Sequence, residues 1–333
     1  MEHHAPHARA VFEGYYSKFD LPSGAHLALI SCQVRGAEKK PYMLSFTYVP
    51  QDTTQIYQKE IWAEHIEMTA DASGKGFRHN IQGVGFIDWN DEVTEYNIEH
   101  EHFTFKAKAT NRTPWSKTTN TPESLLVHLP LPLHWHVHSL ASDCAFDLEI
   151  KDYQLPEQDR SGKARVHDEK NWAISFPSAH SWLQAREEDR GFCCAGGQIL
   201  GMEAFLLGYR SKNLNIDFRP PFAVRIAGWS PFLSYKTDWE NRKFELSVQN
   251  FRNKLTIEAS APKGSFFSLS SPFPEGHREN FLGQSFQATF KVKVFESGLF
   301  SPWKLVREDH FESASLEFGA GYYPPAGSAQ RFH

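Results

Sequence analysis

Cysteine is scarce in this sequence, and its spacing excludes two classes of small protein. The chain of 333 residues has four cysteines, Cys32, Cys144, Cys193 and Cys194. No pair has the spacing of a zinc site, and two adjacent cysteines cannot form an ordinary disulfide. We therefore expect reduced, partly buried thiols of an intracellular protein rather than a disulfide scaffold or a zinc finger.

Long apolar runs and blocks of one charge are also missing. No apolar run approaches the ~18–20 residues that span a bilayer. The first residues, Met1–Arg9, have neither a signal region nor a transit tract. We therefore expect a cytoplasmic protein without a transmembrane segment. With 35 Lys and Arg against 40 Asp and Glu and no basic block, nucleic acid is not an expected partner.

Aromatic rings are abundant by contrast. The chain has 27 Phe, 11 Tyr, 9 Trp and 17 His. Chains that form β-barrels use such side chains to fill the core and to line ligand sites. This composition favours an apolar small molecule as the partner.

The pattern along the chain predicts an all-β fold. Short alternating segments separated by turn residues recur in both halves and are typical of antiparallel barrels or sandwiches. A turn-rich polar stretch, 156–163, suggests a boundary between an N-terminal domain, 1–156, and a C-terminal domain, 157–333. Residues 56–68 fit a helix or a strand equally well, so almost no helix is predicted.

Three histidines alternate along one segment. His134, His136 and His138 would lie on one face of a strand, ~6.5–7 Å apart. Two of them could bind Zn²⁺ or iron together with a carboxylate from elsewhere. They could equally serve as hydrogen-bonding lining of a barrel, or as structural or surface residues, and the sequence favours these uses over a metal.

The segment 167–185 combines charged and aromatic side chains. His167, Asp168, Glu169 and Lys170 are consecutive, and large rings follow at Trp172, Phe176 and Trp182. Pro177 interrupts the run, so the charged cluster is predicted at a loop or strand end, with a new strand from Ser181 that places Trp182 and Gln184 on one face. A carboxyl beside an aromatic wall can remain neutral and donate a proton. The structural alternative is a Glu169–Lys170 ion pair.

Two motifs resemble those of the tocopherol cyclase family. The first is Glu169-Lys-Asn-Trp172, followed by Phe176-Pro177, Trp182 and Gln184, with Ala173 at a position where the family usually has Gly. The second is Phe12-Glu-Gly-Tyr-Tyr16, which is similar to the family's opening motif. The resemblance implies two lipocalin-like β-barrels in tandem and a cyclase that needs no cofactor or metal.

We therefore hypothesise a cofactor-independent cyclase of specialised metabolism. It would form an oxygen heterocycle of the pyran or chroman type from an apolar prenylated or terpenoid-like substrate, by acid-assisted cyclisation or by hetero-Diels–Alder cycloaddition. The alternative is a lipocalin-like carrier that binds an apolar metabolite without changing it. The candidate catalytic residues are His134, His136, His138, His167, Glu169, Lys170 and Gln184, and the candidate substrate-binding residues are Tyr15, Trp135, Trp172, Phe176 and Trp182.

Overall fold

The computed structural model describes residues 3–52, 55–70, 76–117, 119–174, 176–298 and 301–331. The chain forms two units. Unit 1 comprises Met1–Phe176 and Pro272–His277, and unit 2 comprises Pro177–Ser271 and Arg278–His333. Within the described residues there is no α-helix, only strands and three short 3₁₀ helices, at Ser124–His128, Glu157–Asp159 and Ala329–Arg331. The prediction of an all-β fold with two antiparallel lipocalin-like units is confirmed.

Unit 1 is built on one antiparallel sheet of eleven strands in the order β4-β3-β2-β1-β11-β10-β9-β8-β7-β6-β5. The strands are β1 (Phe12–Asp20), β2 (His26–Val34), β3 (Tyr42–Val49), β4 (Tyr57–Trp62), β5 (Ile66–Ala70), β6 (Phe77–Ile81), β7 (Gly85–Trp89), β8 (Thr94–His100), β9 (Phe103–Thr113), β10 (Leu133–Ile150) and β11 (Ser161–Ala173).

The sheet of unit 1 curls around one core. Phe46 of β3 stacks on Phe103 of β9 with ring centroids 3.9 Å apart, although four strands lie between β3 and β9 in the sheet order. Alternate residues of each strand face the core, as the period of a β-strand requires. The core side chains include Phe19, Leu29 and Val166.

Unit 2 has its own antiparallel sheet, in the order β15-β14-β13-β12-β22-β21-β19-β18-β17, with β16 beside β14 and β20 beside β21. Its core is formed by apolar side chains such as Phe205, Phe244, Leu316 and Phe318. The strands are β12 (Ala179–Glu187), β13 (Arg190–Ile199), β14 (Met202–Arg210), β15 (Asn215–Phe218), β16 (Val224–Ile226), β17 (Leu233–Asp238), β18 (Lys243–Gln249), β19 (Asn253–Ser260), β20 (Phe267–Phe273), β21 (Gly276–Glu296) and β22 (Lys304–Ala320).

Two sequence-based expectations need correction. The polar stretch 156–163 lies inside unit 1, because β11 follows it and pairs with both β1 and β10, so the first unit extends to Phe176. The charged cluster 167–170 belongs to the interior of β11 and not to a loop.

The undecided segment 56–68 contains β4 and the start of β5. No helix among the described residues could cross a membrane.

Candidate functional site

Three neighbouring strands of unit 1 bring distant polar residues together. In the registers of β1, β11 and β10, Tyr15 lies beside Lys170, and Lys170 lies beside His136. Asp168 and Trp172 lie two residues from Lys170 in either direction along β11, so they face the same side of the strand. We call this group, with its neighbours across the barrel, the polar chamber: Glu13, Tyr15, Ser17, His79, Trp89, Tyr96, His136, His138, Asp168, Lys170 and Trp172.

A fully buried ion pair lies in the chamber. Lys170 Nζ donates to Glu13 Oε1 at 2.9 Å, and neither side chain is exposed to solvent. The backbone N–H of His7 donates to Glu13 Oε2 at 2.8 Å. Burial alone would raise the pKa of Glu13, but the hydrogen bonds from His7 and the charge of Lys170 lower it to about 2. Glu13 is therefore a carboxylate, and its charge balances that of Lys170.

Aromatic rings form one wall of the chamber. The Tyr15 ring meets His79 edge-on at 4.4 Å and lies 5.0 Å from Trp89, which stacks on Phe77 at 5.0 Å. Burial lowers the pKa of His79 to about 3, and the nearby charge of Lys170 acts in the same direction. His79 is therefore a neutral imidazole, and its Nδ1 lies 3.3 Å from Ser31 Oγ.

Asp168, an acid with a raised pKa, lies at the boundary between the polar chamber and the apolar core of unit 1. Asp168 is 1% exposed, and its Oδ1 accepts a hydrogen bond of 2.8 Å from Tyr96 Oη, which is 3.0 Å from Ser17 Oγ. Asp168 Oδ2 is also buried and accepts no hydrogen bond from the described residues. Burial raises the pKa of Asp168 and outweighs the opposite effect of the nearby Ser17 and Tyr96 hydroxyls. This environment favours a carboxylic acid that can donate a proton.

Stacked rings hold Trp172 in place. Its indole stacks on His7 at 4.1 Å and on His134 at 4.9 Å, with interplanar angles of 5° and 15°. His134 is oriented by Glu123, whose Oε2 lies 2.8 Å from His134 Nδ1. Lys170 Nζ lies 4.7 Å from the Trp172 ring centroid, a cation–π distance. Of the predicted residues, His134 thus acts as a support for Trp172.

A trio of buried imidazoles has a spacing that could hold a metal ion. One ring nitrogen each of His4, His136 and His138 lies within 4.8 Å of the others. However, His4 and His138 stack at 4.1 Å with an interplanar angle of 18°, whereas a metal lies in the plane of each imidazole that binds it. Arg112 also donates to His138 Nδ1 at 2.9 Å, and metal-bound histidines normally donate from their second nitrogen. The described geometry is that of stacked neutral rings and does not fit metal coordination.

The chamber contains some of the predicted site residues and leaves out others. Those in it are Tyr15, His136, His138, Lys170 and Trp172, with His134 beside Trp172. His167 and Glu169 lie on the opposite face of β11, where His167 Nε2 and Glu169 Oε2 are 2.8 Å apart. The predicted Glu169–Lys170 ion pair is therefore wrong, because successive residues of a strand face opposite sides.

The other predicted residues lie elsewhere in the two units. Trp135 packs edge-on against Trp115 at 5.9 Å, and Phe176 lies in a small apolar cluster with Phe12, so both are outside the chamber. Trp182 and Gln184 lie on β12 of unit 2, on the face opposite to its core residue Leu183. Gln184 Oε1 accepts a hydrogen bond of 3.4 Å from Ser315 Oγ.

Sequence reasoning missed six of the eleven members of the chamber: Glu13, Ser17, His79, Trp89, Tyr96 and Asp168. Asp168 was part of the charged cluster but had no role of its own, although the alternation from Lys170 places both on one face. Glu13 was assigned mainly to structure. His79 and Tyr96 lie on short strands whose alternation was visible, but nothing in the sequence indicates that these strands face Asp168 and Tyr15.

Comparisons with known proteins support the fold. No family model and no curated protein matches the chain. CghA with Sch210972 is similar with 10% identity and a TM-score of 0.59, over 93% of this chain and 88% of that one, and CghA alone gives 11% and 0.59 over the same shares. Kievitone hydratase from Nectria haematococca gives 8% and 0.56, over 95% of this chain and 91% of that one. At such identities the likeness shows a shared fold, and the tocopherol cyclase motifs remain a resemblance.

Proposed function

We propose that this protein is a cofactor-independent cyclase of specialised metabolism and that its apolar substrate reacts in the polar chamber of unit 1. The observation that carries the proposal is the buried acid Asp168, whose Oδ2 accepts no hydrogen bond from the described residues and whose pKa is raised by burial. Such an acid inside an aromatic wall suits protonation of an alkene, since water is excluded from the cation that forms.

The proposed reaction forms an oxygen heterocycle. Asp168 transfers its proton to a prenyl double bond, and the resulting carbocation is captured by a phenol or enol oxygen of the same molecule. The oxygen then loses its proton to the Asp168 carboxylate, so the product is an isomer of the substrate and the enzyme returns to its starting state. Tyr96 donates to Asp168 Oδ1 and would stabilise the carboxylate while the cation exists.

A cycloaddition in the same chamber is the second route to such a ring. It needs orientation of the two reacting ends and hydrogen-bond donors to a carbonyl, and orientation alone supplies ~7–11 kcal/mol in the best model systems. Lys170 is the donor best placed for this, because it is buried and lies near the rings of Tyr15 and Trp172. The fold also occurs in CghA, whose crystal structure was determined with Sch210972, and in kievitone hydratase.

A carrier is the alternative function. It is favoured by the apolar rings next to Asp168, where Phe19 packs edge-on against both Tyr96 and Phe105, because such a lining binds an apolar ligand without any chemistry.

Metabolite profiling of the source organism with and without the gene tests the proposal. Loss of a cyclase should cause an isomer with a different retention time to accumulate, or two smaller partners to replace their adduct. Returning the gene as Asp168→Asn should fail to restore the product if Asp168 is the acid. If the compounds persist and only their amounts change, the carrier function is correct.

A further inference from the structure

The segment that precedes β1 enters the polar chamber. His4 is 7% exposed, stacks on His138 at 4.1 Å and meets Tyr15 edge-on at 5.2 Å. It also lies 5.9 Å from both Phe77 and Trp89. One imidazole therefore fills a slot between a flat ring and an aromatic wall.

A carbonyl group next to this ring is bound by the chamber's lysine. Lys170 Nζ donates to the backbone oxygen of Ala5 at 2.6 Å, in addition to its bond with Glu13. The chamber thus binds two features of the segment at once, a flat ring and an adjacent carbonyl oxygen. A charged donor makes such a bond stronger than one between neutral groups.

The segment is attached to unit 1 by side chains and single backbone bonds. Residues 3–10 form no strand, so they lack the ladder of hydrogen bonds that holds β1. Arg35 donates to the backbone oxygens of His7 and Ala10, both at 2.7 Å, and His7 stacks on Trp172. The bonds at Arg35 fix the end of the segment near β1, and His4 and Ala5 lie beyond them.

The stacking face of His138 is occupied by His4 itself. The two rings are 4.1 Å apart, and His4 also lies 5.7 Å from the ring of His136. A flat ring that stacks on the same face of His138 must therefore displace His4.

We propose that His4 and Ala5 occupy the place of the substrate's head group and leave the chamber when the substrate binds. The head group is then a flat conjugated ring with a carbonyl oxygen, such as an enone, a quinone or a lactam. Its ring takes the slot of His4 against His138 and Tyr15, and its oxygen takes the hydrogen bond from Lys170 that Ala5 now accepts. This inference rests on the proposed function in one respect, because both place the substrate in the polar chamber.

Binding of 7-hydroxycoumarin, a flat ring system with one ring carbonyl, tests this assignment. The proteins compared are the full chain, a variant without residues 2–9, His4→Ala and the control Arg9→Ala, an exposed residue of the same segment. Removal of the competing segment should strengthen coumarin binding about tenfold or more, and His4→Ala should strengthen it less. Arg9→Ala should bind like the full chain. Equal affinity for all four proteins would overturn the proposal.

The proposed hydrogen bond from Lys170 to the ligand's carbonyl oxygen is tested separately. In a background of His4→Ala and Glu13→Gln, which removes the carboxylate that Lys170 balances, Lys170→Met should weaken coumarin binding about tenfold, the value of a hydrogen bond from a charged donor. It should weaken binding of 2-methylnaphthalene, which has no carbonyl, by much less. Equal weakening for both probes would show that Lys170 only maintains the chamber, and would overturn the head-group assignment. Melting temperatures show whether each variant is folded. If the deletion variant is unfolded, the comparison of His4→Ala with the full chain tests the proposal.

These binding results are independent of the cyclase proposal. Coumarin binding that depends on His4 and Lys170 would support the head-group site even if profiling shows a carrier. A missing cyclisation product in the gene deletion, together with equal coumarin binding by all variants, would support the cyclase and overturn this inference.

Discussion

Tyr96 donates a hydrogen bond of 2.8 Å to Asp168, although β8 and β11, which contain them, are separated by β9 and β10 in the sheet. The curl of the sheet brings the two strands face to face, so an acid of one wall is bound by a phenol of the other. The same burial that raises the pKa of Asp168 also raises that of Tyr96, which therefore remains a donor. The pair leaves one oxygen, Asp168 Oδ2, without a hydrogen bond from the described residues.

Asp168→Asn should separate an enzyme from a carrier. The amide keeps the size and the acceptor for Tyr96 but cannot transfer an acidic proton, so we expect turnover to fall about 100-fold or more. Ligand affinity should change by less than about threefold, because the contact area is the same. The measurements are conversion of the metabolite found by profiling and titration of the same compound. Asp147→Asn, an exposed acid of β10, is the control, and an Asp168→Asn protein with full turnover would exclude this acid.

Lys170→Met should destabilise unit 1 strongly. Glu13 would keep its bond with the His7 backbone and its partly exposed partner Arg35, 3.7 Å away, but lose its buried counter-charge, and breaking a buried pair from one side costs ~3–5 kcal/mol. Adding Glu13→Gln to Lys170→Met should recover part of this loss, since the buried carboxylate is removed. The free energy of unfolding in urea measures both effects.

The control for this pair is an exposed one in the same sheet. Lys108 and Glu95 are 2.9 Å apart, and their side chains are 58% and 48% exposed. Lys108→Met should change the free energy of unfolding by less than about 1 kcal/mol. If the two lysine variants lose similar stability, the buried pair is not a special determinant of this fold.

The strands and half of the site could be predicted from the sequence. Alternation placed His136 and His138 on one face of a strand, and the aromatic-rich motif around Lys170 and Trp172 does contribute to the chamber. Alternation is a local property, so it can be detected without knowing the partner strand. The ring and charge pattern therefore singled out both segments, although the sequence assigned them to different domains and only the structure shows that β10 pairs with β11.

The partners of these residues could not be predicted in the same way. Which residue faces Lys170 depends on the register of β1 against β11, and register is set by packing of the whole barrel. The sequence suggested Glu169, the adjacent carboxylate, but the register provides Glu13. The interruption at Pro177 also predicted a loop or strand end for the charged cluster, but β11 continues to Ala173 and contains the cluster in its interior.

Neutral histidines in the chamber should make unit 1 sensitive to acid. Burial lowers the pKa of folded His79 to about 3, below the ~6.5 of an unfolded histidine. The unfolded chain therefore binds the proton first, so the stability that is present above pH ~6.5 is lost as the pH falls toward 3. His79→Gln should reduce the loss of melting temperature between pH ~6.5 and ~4.5, above the range in which Glu13 titrates. His65→Gln, an exposed histidine of the same unit, is the control, and identical pH profiles for both variants would contradict the assignment.

Gly319 of unit 2 lies in a strand, and the ring of its neighbour His180 leaves no room there for a side chain. It pairs with His180, and a Cβ atom at Gly319 would lie 1.9 Å from His180 Cε1. His180 Nε2 lies 3.1 Å from Glu317 Oε1, so moving the ring would also break this contact. Gly319→Ala should therefore cost ~1–3 kcal/mol of unfolding free energy, as overpacking does elsewhere.

A double-mutant cycle identifies the cause of that loss. Gly319→Ala in a His180→Ala background should cost much less than in the original chain, because the ring that the methyl group meets is gone. Gly191→Ala, where the nearest atom to a new Cβ is 3.4 Å away, is the matched control. Additive losses for Gly319 and His180 would mean that the backbone at Gly319, and not the imidazole, excludes a side chain. The glycine would then have to be explained by strand geometry alone.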